Sequence, residues 1–332
     1  MKHFYATTIS SSPHIRSSES TQTIMRDVLI ALLPALAGGC WFFGLRALLL
    51  AAVSVAGCVF FEWAYRKLMK LDGTVYDLSA AVTGLLIAMV SPVGLPFWVV
   101  LAGDFFAIVV VKQLFGGIGK NFMNPALSAR AMMLVSWPAL MTSWAATGSR
   151  TPLFQSTQAA VDAVSTATPL NALHGGLLPE ASLLDTFLGY VGGSMGETSA
   201  LLLLIGGLYL LVRRVIRLRI PVCFVGTVAL LSLIFPKGGD PLTWMGYQVC
   251  SGGLMLGAIF MATDYVTSPV TKWGQVIYAV GCGALTVFIR YLGSYPEGVS
   301  FAILIMNACV MLLDKVGVPR RFGVPRKGGP KA

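Results

Sequence analysis

The sequence predicts an all-α polytopic membrane protein, with about ten transmembrane helices in two inverted five-helix repeats. Composition, the distribution of lysine and arginine, and an internal repeat lead to this prediction. Of the 332 residues, 56% are hydrophobic and 11% are charged, whereas soluble domains carry roughly 25% charged residues. A soluble core of this length does not bury so much apolar surface, so we expect lipid to cover part of it.

Ten apolar runs approach the ~20 residues that a helix needs to cross the hydrocarbon layer. They lie near residues 24–44, 45–65, 77–91, 95–115, 125–142, 198–216, 219–236, 247–263, 273–290 and 298–314. The third run ends at Ser91-Pro92 and the eighth leads into Ser268-Pro269, and interrupted helices of this kind often border an internal site. The predicted organisation is a cytoplasmic segment 1–23, membrane repeats 24–142 and 198–314, a joining loop 143–197 and a basic tail 315–332.

The distribution of basic residues predicts the orientation in the membrane. With a cytoplasmic N-terminus, nineteen of the 24 lysines and arginines fall in cytoplasmic segments, and Arg130 lies within the fifth helix. The outer segments hold four, Arg46, Arg150, Lys237 and Arg290. This bias predicts cytoplasmic termini and an outer loop 143–197. The basic clusters are separated by apolar runs, so lipid headgroups explain the charge of +10 better than nucleic acid does.

An internal repeat supports the helix count. The string SPVGLPFW begins at Ser91 and SPVTKWGQ at Ser268, while LFGG begins at Leu114 and YLGS at Tyr291. Both pairs are separated by 177 positions. Because five helices is an odd number, the second copy must be inverted, and inverted repeats commonly frame a midplane site between broken helices.

Two charges inside apolar runs are candidates for an ion pathway. Asp104 lies in the middle of the fourth run and Arg130 early in the fifth. An ionisable group at that depth costs at least about 2.5–3.5 kcal/mol, which makes function the default hypothesis. The alternative is a mutually satisfied Asp–Arg pair or a neutral buried acid. Glu62, Asp77 and Asp264 are expected nearer the membrane interface.

The six cysteines are dispersed through apolar segments without a CxxC pair, so no metal site is predicted.

The long outer loop contains a chemically informative string, Asp162-Ala-Val-Ser165-Thr166-Ala167-Thr168. Composition alone would describe it as a Ser/Thr-rich turn closed by Pro169. It also matches the D-x-x-[ST]-x-A-T pattern at which a periplasmic flavin transferase joins FMN to the threonine hydroxyl through a phosphodiester. That chemistry needs a hydroxyl, an exposed backbone and a location outside the cytoplasm, and the charge bias independently predicts the last of these.

Further strings extend the likeness along the chain. SPHIRSSEST at 12–21 and FGGIGKNFMNPALSARAM at 115–132, together with the threonine motif, resemble the D subunit of Rnf (Rsx) complexes, which are ion-translocating ferredoxin:NAD oxidoreductases. The chain is similar as well to the B subunit of the sodium-pumping NADH:quinone reductase. The resemblance covers residues 11 to 318.

The resemblance implies a urea-transporter-like fold in the bacterial inner membrane, with the loop on the periplasmic side. Thr168 would carry covalent FMN, and the transferase would read Asp162, Ser165 and Ala167. Non-covalent riboflavin is expected near a second set of residues, Gly116, Gly117, Asn121 and Asn124. The expected partners are the A, B, C, E and G subunits, and the chain would move electrons within the complex without turnover of its own.

A solute channel or transporter of urea-transporter type is the competing interpretation, since the repeat fits it equally well. Asn124-Pro125-Ala126 reproduces the water-channel tripeptide, but the second half has Phe301 and Ala302 at the matching positions and no second copy. An aquaporin is therefore not predicted. The threonine motif separates a flavoprotein from a transporter.

Overall fold

The computed structural model describes residues 19–73, 75–145, 147–148 and 168–317, and within these ranges the secondary structure is helical without a strand. The first half contains α1 Thr21–Phe43, α2 Leu45–Leu68, a 3-10 turn Val75–Asp77, α3 Ser79–Met89, α4 Phe97–Phe105 with a π-helical continuation Phe106–Gln113, α5 Pro125–Ser136 and α6 Pro138–Met141. Two short helices follow, α7 Pro169–His174 and α8 Leu183–Leu188.

The second half is also helical in its described residues. It contains α9 Ala200–Val212, α10 Arg219–Ile234, α11 Pro241–Cys250, α12 Leu254–Leu256 with a π-helical continuation Gly257–Met261, α13 Lys272–Leu292, α14 Val299–Ala308 and α15 Val310–Leu313. Helix therefore occupies each of the ten apolar runs. Within the described residues, α1, α2 and α13 are long and apolar enough to cross a membrane, and α3, α9, α10 and α14 are shorter apolar helices.

Local sequence explains where the first helices begin and end. The Ser20 hydroxyl accepts from the Thr23 amide at 3.2 Å, and the Thr23 hydroxyl accepts from the Ser20 amide at 2.9 Å. This capping box satisfies amides that the first turn leaves free. Gly44, at φ 82°, separates α1 from α2 in a conformation that few other residues adopt. The chain therefore reverses between two long helices within a single residue.

The first predicted interruption is confirmed, and a buried arginine stabilises it. Helix α3 ends at Met89, two residues before Ser91-Pro92. Arg46, on α2, donates to the carbonyls of Val93 at 2.8 Å and Leu95 at 3.2 Å. Irregular backbone is tolerated at membrane depth only where protein groups satisfy it. Arg46 is 1% exposed, and its guanidinium lies inside the protein against these carbonyls.

A second interruption lies earlier than the sequence indicates, at 251–253 between α11 and α12. Gly252 adopts φ 69° there. Arg290, from α13, donates to the carbonyls of Gln248 and Ser251, the latter at 3.0 Å. Arg290 is also 1% exposed, so this guanidinium too lies inside the protein. At both breaks, a guanidinium from another helix therefore donates to backbone carbonyls.

Two short helices meet near the centre of the fold. Asn124 caps α5 by accepting from the amides of Ala126 at 3.0 Å and Leu127 at 3.3 Å, and Pro125 suits the first helical position. Helix α5 packs against α14. With 12 and 10 residues, these helices span about 15–18 Å each, roughly half the hydrocarbon thickness. They bring side chains from both halves together.

Candidate flavin cleft and buried charges

Thr168 is the first residue that the structure describes after position 148, and it caps α7. Its side chain accepts from the Asn171 amide at 3.3 Å, and Pro169 occupies the first helical position. The threonine is buried, with 8% exposure. Asp162, Ser165 and Ala167 lie outside the described residues, so the structure places one member of the predicted motif.

Thr168 lines a cleft that draws on both halves of the chain. The cleft contains about 800 Å³ of space free of protein atoms, some of it open to the surface. Ligand pockets commonly measure about 300–1,000 Å³. Polar and charged side chains share the wall with aromatic and aliphatic ones, among them Arg130, Leu134, Trp144, Asn171, Ser194, Glu197, Ser251, Tyr295 and Glu297.

Arg130 organises the charge in this cleft. Its Nη1 donates to Glu197 Oε1 at 2.6 Å, and its Nη2 donates to Glu297 Oε2. The side chain of Arg130 is 5% exposed, and those of Glu197 and Glu297 are 5% and 14% exposed. Burial of an arginine with two carboxylates requires such hydrogen bonds, because an unpaired buried charge is strongly unfavourable. The ion-pathway candidate Arg130 is therefore joined to two acids.

Several buried polar atoms at the cleft lack a partner. Among the described residues, the hydroxyls of Ser194 and Ser251 and the Oε1 atom of Glu297 form no hydrogen bond, and all three residues line the cleft. Buried polar atoms are nearly always satisfied in folded proteins. Two hydroxyls that can donate and one carboxylate oxygen that can accept therefore suit a ligand with both donors and acceptors.

A second cavity, of about 830 Å³, lies beside the start of α5. Asn121 and Asn124, two of the residues predicted for a second flavin, line it together with Ser79, Lys112, Asp264 and Tyr265. Gly116 and Gly117 do not line this cavity. They form the turn after the π-helix, with φ values of 109° and 90°.

Asp104 and Arg130 do not pair with each other. Asp104 Oδ1 lies 2.7 Å from Ser54 Oγ and 3.4 Å from Cys58 Sγ, both on α2. Asp104 is fully buried. The proposed Asp–Arg pair is wrong because Arg130 instead contacts acids that lie elsewhere in the chain, before α9 and α14. The two candidates belong to separate sites.

Glu62 belongs to a buried cluster on α2. It is fully buried, and its carboxylate accepts from Lys112 Nζ at 2.8 Å and Gln113 Nε2 at 3.0 Å. Both donors lie in the π-helical turn Phe106–Gln113, which directs them toward the same acid. The expected position of Glu62 near the membrane interface stays a prediction.

Glu197 and Glu297 were missed as site residues. Both lie in segments between apolar runs, so a search for charges within helices passes over them. A usable signal is their shared position: Glu197 precedes α9 by three residues and Glu297 precedes α14 by two. An acid just before an apolar helix is favoured by the helix dipole. The sequence alone did not connect either acid with Arg130.

Comparisons with known proteins identify the family of this chain. Residues 8–323 match the model of the NQR2, RnfD, RnfE family. The chain is 49% identical to the D subunit of the Na+-translocating ferredoxin:NAD+ oxidoreductase complex of Acetobacterium woodii, over 96% of each chain. It is 43% identical to the D subunit of the proton-translocating ferredoxin:NAD+ oxidoreductase complex of Clostridium ljungdahlii, over 96% of this chain and 97% of that one. It is 41% identical to the D subunit of the ion-translocating oxidoreductase complex of Stutzerimonas stutzeri, over 95% of each. This chain belongs to the NQR2, RnfD, RnfE family, and these relatives are the D subunits of ion-translocating oxidoreductases.

Proposed function

We propose that this chain is a membrane subunit of a complex that couples electron transfer between ferredoxin and NAD(H) to translocation of Na+ or H+. Covalent FMN at Thr168 serves as its electron carrier. The names of the relatives support the complex and the reaction. The observation that carries the flavin assignment is that Thr168, the last residue of the attachment motif, lines a cleft with unpartnered polar atoms.

The residues of the cleft fit a tethered flavin. The Thr168 hydroxyl would hold the phosphodiester, while Ser194, Ser251 and Glu297 supply donors and an acceptor for a polar ring edge. Trp144 and Tyr295 add aromatic surface. Arg130 is committed to Glu197 and Glu297, so its part is to hold these two acids in the wall of the cleft. When bound, the flavin supplies one- and two-electron transfer, and the tether keeps it at high local concentration.

The test is fluorescence of the denatured chain in a gel, after expression with a periplasmic flavin transferase. The wild-type band is expected to fluoresce under ultraviolet light, and Thr168→Val is expected to be dark because it lacks the hydroxyl. Thr142→Val is the matched control: Thr142 lines the same cleft but lies outside the motif. Mass analysis of the Thr168 peptide should find FMN joined with loss of one water. An unmodified peptide would reject the flavin assignment and favour the solute-transporter alternative.

The proposed membrane arrangement has ten crossings, both termini cytoplasmic and the loop 143–197 on the outer, periplasmic face of the bacterial inner membrane. The 177-position repeat and the paired half-helices α5 and α14 support two inverted repeats resembling the urea-transporter fold. Single cysteines in the Lys237 and Lys315 loops provide a test. An impermeant thiol reagent added outside intact cells should label the Lys237 position alone, and the opposite pattern would reject the orientation.

The cavity beside α5 is proposed to hold non-covalent riboflavin. Asn121 and Asn124 offer amide donors and acceptors, and Lys112 and Asp264 add charge. Release by denaturation followed by chromatography would measure the bound flavin. Asn121→Leu is expected to reduce it in Thr168→Val protein, where covalent FMN does not interfere. An equal yield of released riboflavin from the Thr168→Val protein and the Thr168→Val/Asn121→Leu protein would reject this site. Gly116 and Gly117 are proposed to shape the adjoining turn.

The chain is proposed to work within an assembly of the A, B, C, E and G subunits, surrounded by lipid and modified by the flavin transferase. The exposed apolar side chains on its long helices, such as Trp41, Phe60 and Phe288, suit contact with lipid or with other membrane subunits. Isolation of the intact complex from cells that lack this chain would measure its contribution to assembly.

A further inference from the structure

A buried polar stripe runs along one face of α2. Ser54, Cys58 and Glu62 are spaced four residues apart, which places them on the same side of the helix, and each is fully buried. They meet Asp104 of α4 and, in the π-helical continuation, Lys112 and Gln113. The stripe is thus built from two neighbouring helical segments. It is separate from the Thr168 cleft.

Asp104 has no positive partner in this stripe. Within the described part of the chain, no lysine, arginine or histidine forms an ion pair with it, and its Oδ2 atom has no hydrogen-bond partner. The titratable group that faces Asp104 is Cys58 on α2. From α3, the Gly84 carbonyl bonds to Ser54, which in turn contacts Asp104. From α5, Met133 lies against Gly103, the residue before Asp104. A buried carboxylate without a counter-ion is strongly unfavourable and becomes neutral instead.

The hydrogen bonds of Ser54 independently indicate that Asp104 is protonated. Ser54 Oγ lies 2.8 Å from the Gly84 carbonyl and 2.7 Å from Asp104 Oδ1. A carbonyl can only accept, and a serine hydroxyl has one proton. When Ser54 donates that proton to Gly84, the short contact with Asp104 needs a proton from the aspartate. The full pair of hydrogen bonds forms when Asp104 is protonated on Oδ1.

We propose that Asp104 is a proton-binding site within the membrane, loaded from the cavity beside α5 through the Lys112–Glu62 ion pair and Cys58. Lys112 lines that cavity with Ser79 and donates to Ser79 Oγ at 2.6 Å and to Glu62 Oε2 at 2.8 Å. Cys58 lies one turn beyond Glu62 on α2 and contacts Asp104. A proton donated by a hydronium ion in the cavity converts the Asp104 carboxylate to the acid and leaves water, and the reverse transfer restores the carboxylate and the hydronium ion.

A proton fits this site better than a divalent metal cation. Asp104, Ser54 and Gly84 provide the oxygen atoms there, and the Ser54 hydroxyl is already committed to hydrogen bonds. Hard cations such as Mg²⁺ or Ca²⁺ require six or more oxygen ligands. Gly57 also approaches closely, since a Cβ there would lie 2.8 Å from Asp104 Oδ2, and this glycine limits the space on one side of Oδ2.

Infrared spectroscopy of the purified complex in lipid at neutral pH tests the proton site. The wild-type minus Asp104→Asn difference spectrum should contain a carboxylic-acid carbonyl band that shifts in D2O. Ser54→Ala should move this band to higher wavenumber, because the acid loses its acceptor. Asp185→Asn, a change in the short loop helix α8, should remove a carboxylate band instead. A difference spectrum for Asp104→Asn that contains carboxylate bands but no acid band would overturn the proposal.

The rate of hydrogen–deuterium exchange at the acid band tests the route. The double variant Glu62→Gln/Lys112→Met replaces the ion pair with neutral side chains of similar shape, and it should slow exchange several-fold. Asp27→Asn, which alters a different ion pair, should leave the exchange rate unchanged. Equal rates in the wild type and the double variant would reject the route. The proton site adds to the proposed function. It can be measured equally well in flavin-free Thr168→Val protein, so failure of the proton site is distinguishable from failure of the flavin assignment.

Discussion

Thr168 and Arg130 line the same cleft, although the threonine caps a short loop helix and the arginine lies in the middle of half-helix α5. Arg130 is held by Glu197 and Glu297, which come from the segments before α9 and α14. The loop, the first half and the second half therefore converge at one point. Disturbing the ion cluster should affect both the stability of the fold and the environment of a group attached to Thr168.

Arg130→Met is expected to destabilise the protein by about 3–5 kcal/mol, because it leaves two buried carboxylates without a partner. Thermal unfolding can be followed through a thiol-reactive dye that reports exposure of the buried Cys58 and Cys282. Arg213→Met is the control: Arg213 is half exposed, and its one acid Asp27 keeps a hydrogen bond from the Tyr209 hydroxyl at 3.2 Å, so its midpoint should change less. The triple variant with Glu197→Gln and Glu297→Gln should recover part of the loss. Equal unfolding midpoints for Arg130→Met and Arg213→Met would contradict the described burial.

Gly206→Ala is expected to weaken the packing of α9 on α1. A Cβ at Gly206 would lie 2.0 Å from the Ala31 carbonyl oxygen, so the two helices would have to separate, at a cost of about 1–3 kcal/mol. Gly226→Ala is the matched control, since Gly226 is also inside a helix but has open space around it. That change should be neutral or stabilising by about 0.5–1 kcal/mol. The same thiol-dye assay would measure both, and a stabilised Gly206→Ala protein would refute the close approach.

Arg46→Leu is expected to destabilise the break after α3, because the Val93 and Leu95 carbonyls lose their donor. An unsatisfied buried polar group costs about 1–3 kcal/mol. Lys237→Leu removes a similar bond, to the Tyr291 carbonyl, at an exposed position where water can replace it. The midpoint of unfolding should therefore fall for Arg46→Leu and change little for Lys237→Leu. Comparable losses would mean that water reaches the break.

Ser251→Ala and Glu297→Gln should change the visible absorption and fluorescence of the attached flavin without preventing its attachment. Both residues present unpartnered atoms at the cleft, whereas the transferase motif lies elsewhere in the chain. Ser143→Ala, outside the cleft lining, is the control. Flavin content would be read from the denatured gel band and the spectrum from the native protein. Identical native spectra in all four proteins would place the ring outside this cleft.

The helices and the first interruption could be predicted from the sequence because apolar length and Pro92 are local signals. Thr168 was identifiable for a similar reason, since its motif is contiguous. The pairing of Arg130 with Glu197 and Glu297 was not predictable, because it joins residues from three distant segments. The burial of Arg46 and Arg290 was not predictable, because a count of basic residues in loops cannot register that a guanidinium bonds to backbone carbonyls of another helix. Local sequence patterns predict the helices, whereas tertiary contacts determine which groups the buried charged side chains bond to.

The π-helical turn at Phe106–Gln113 has a consequence for how this chain can change during evolution. Each residue of an ordinary α-helix advances about 100° around the axis, and a residue of a π-helix advances less because its hydrogen bonds join residues five apart. Relaxing this segment to an α-helix of the same length would therefore rotate Lys112 and Gln113 away from Glu62 even if every polar side chain were kept. Backbone winding, as well as residue identity, is then a trait that selection would preserve.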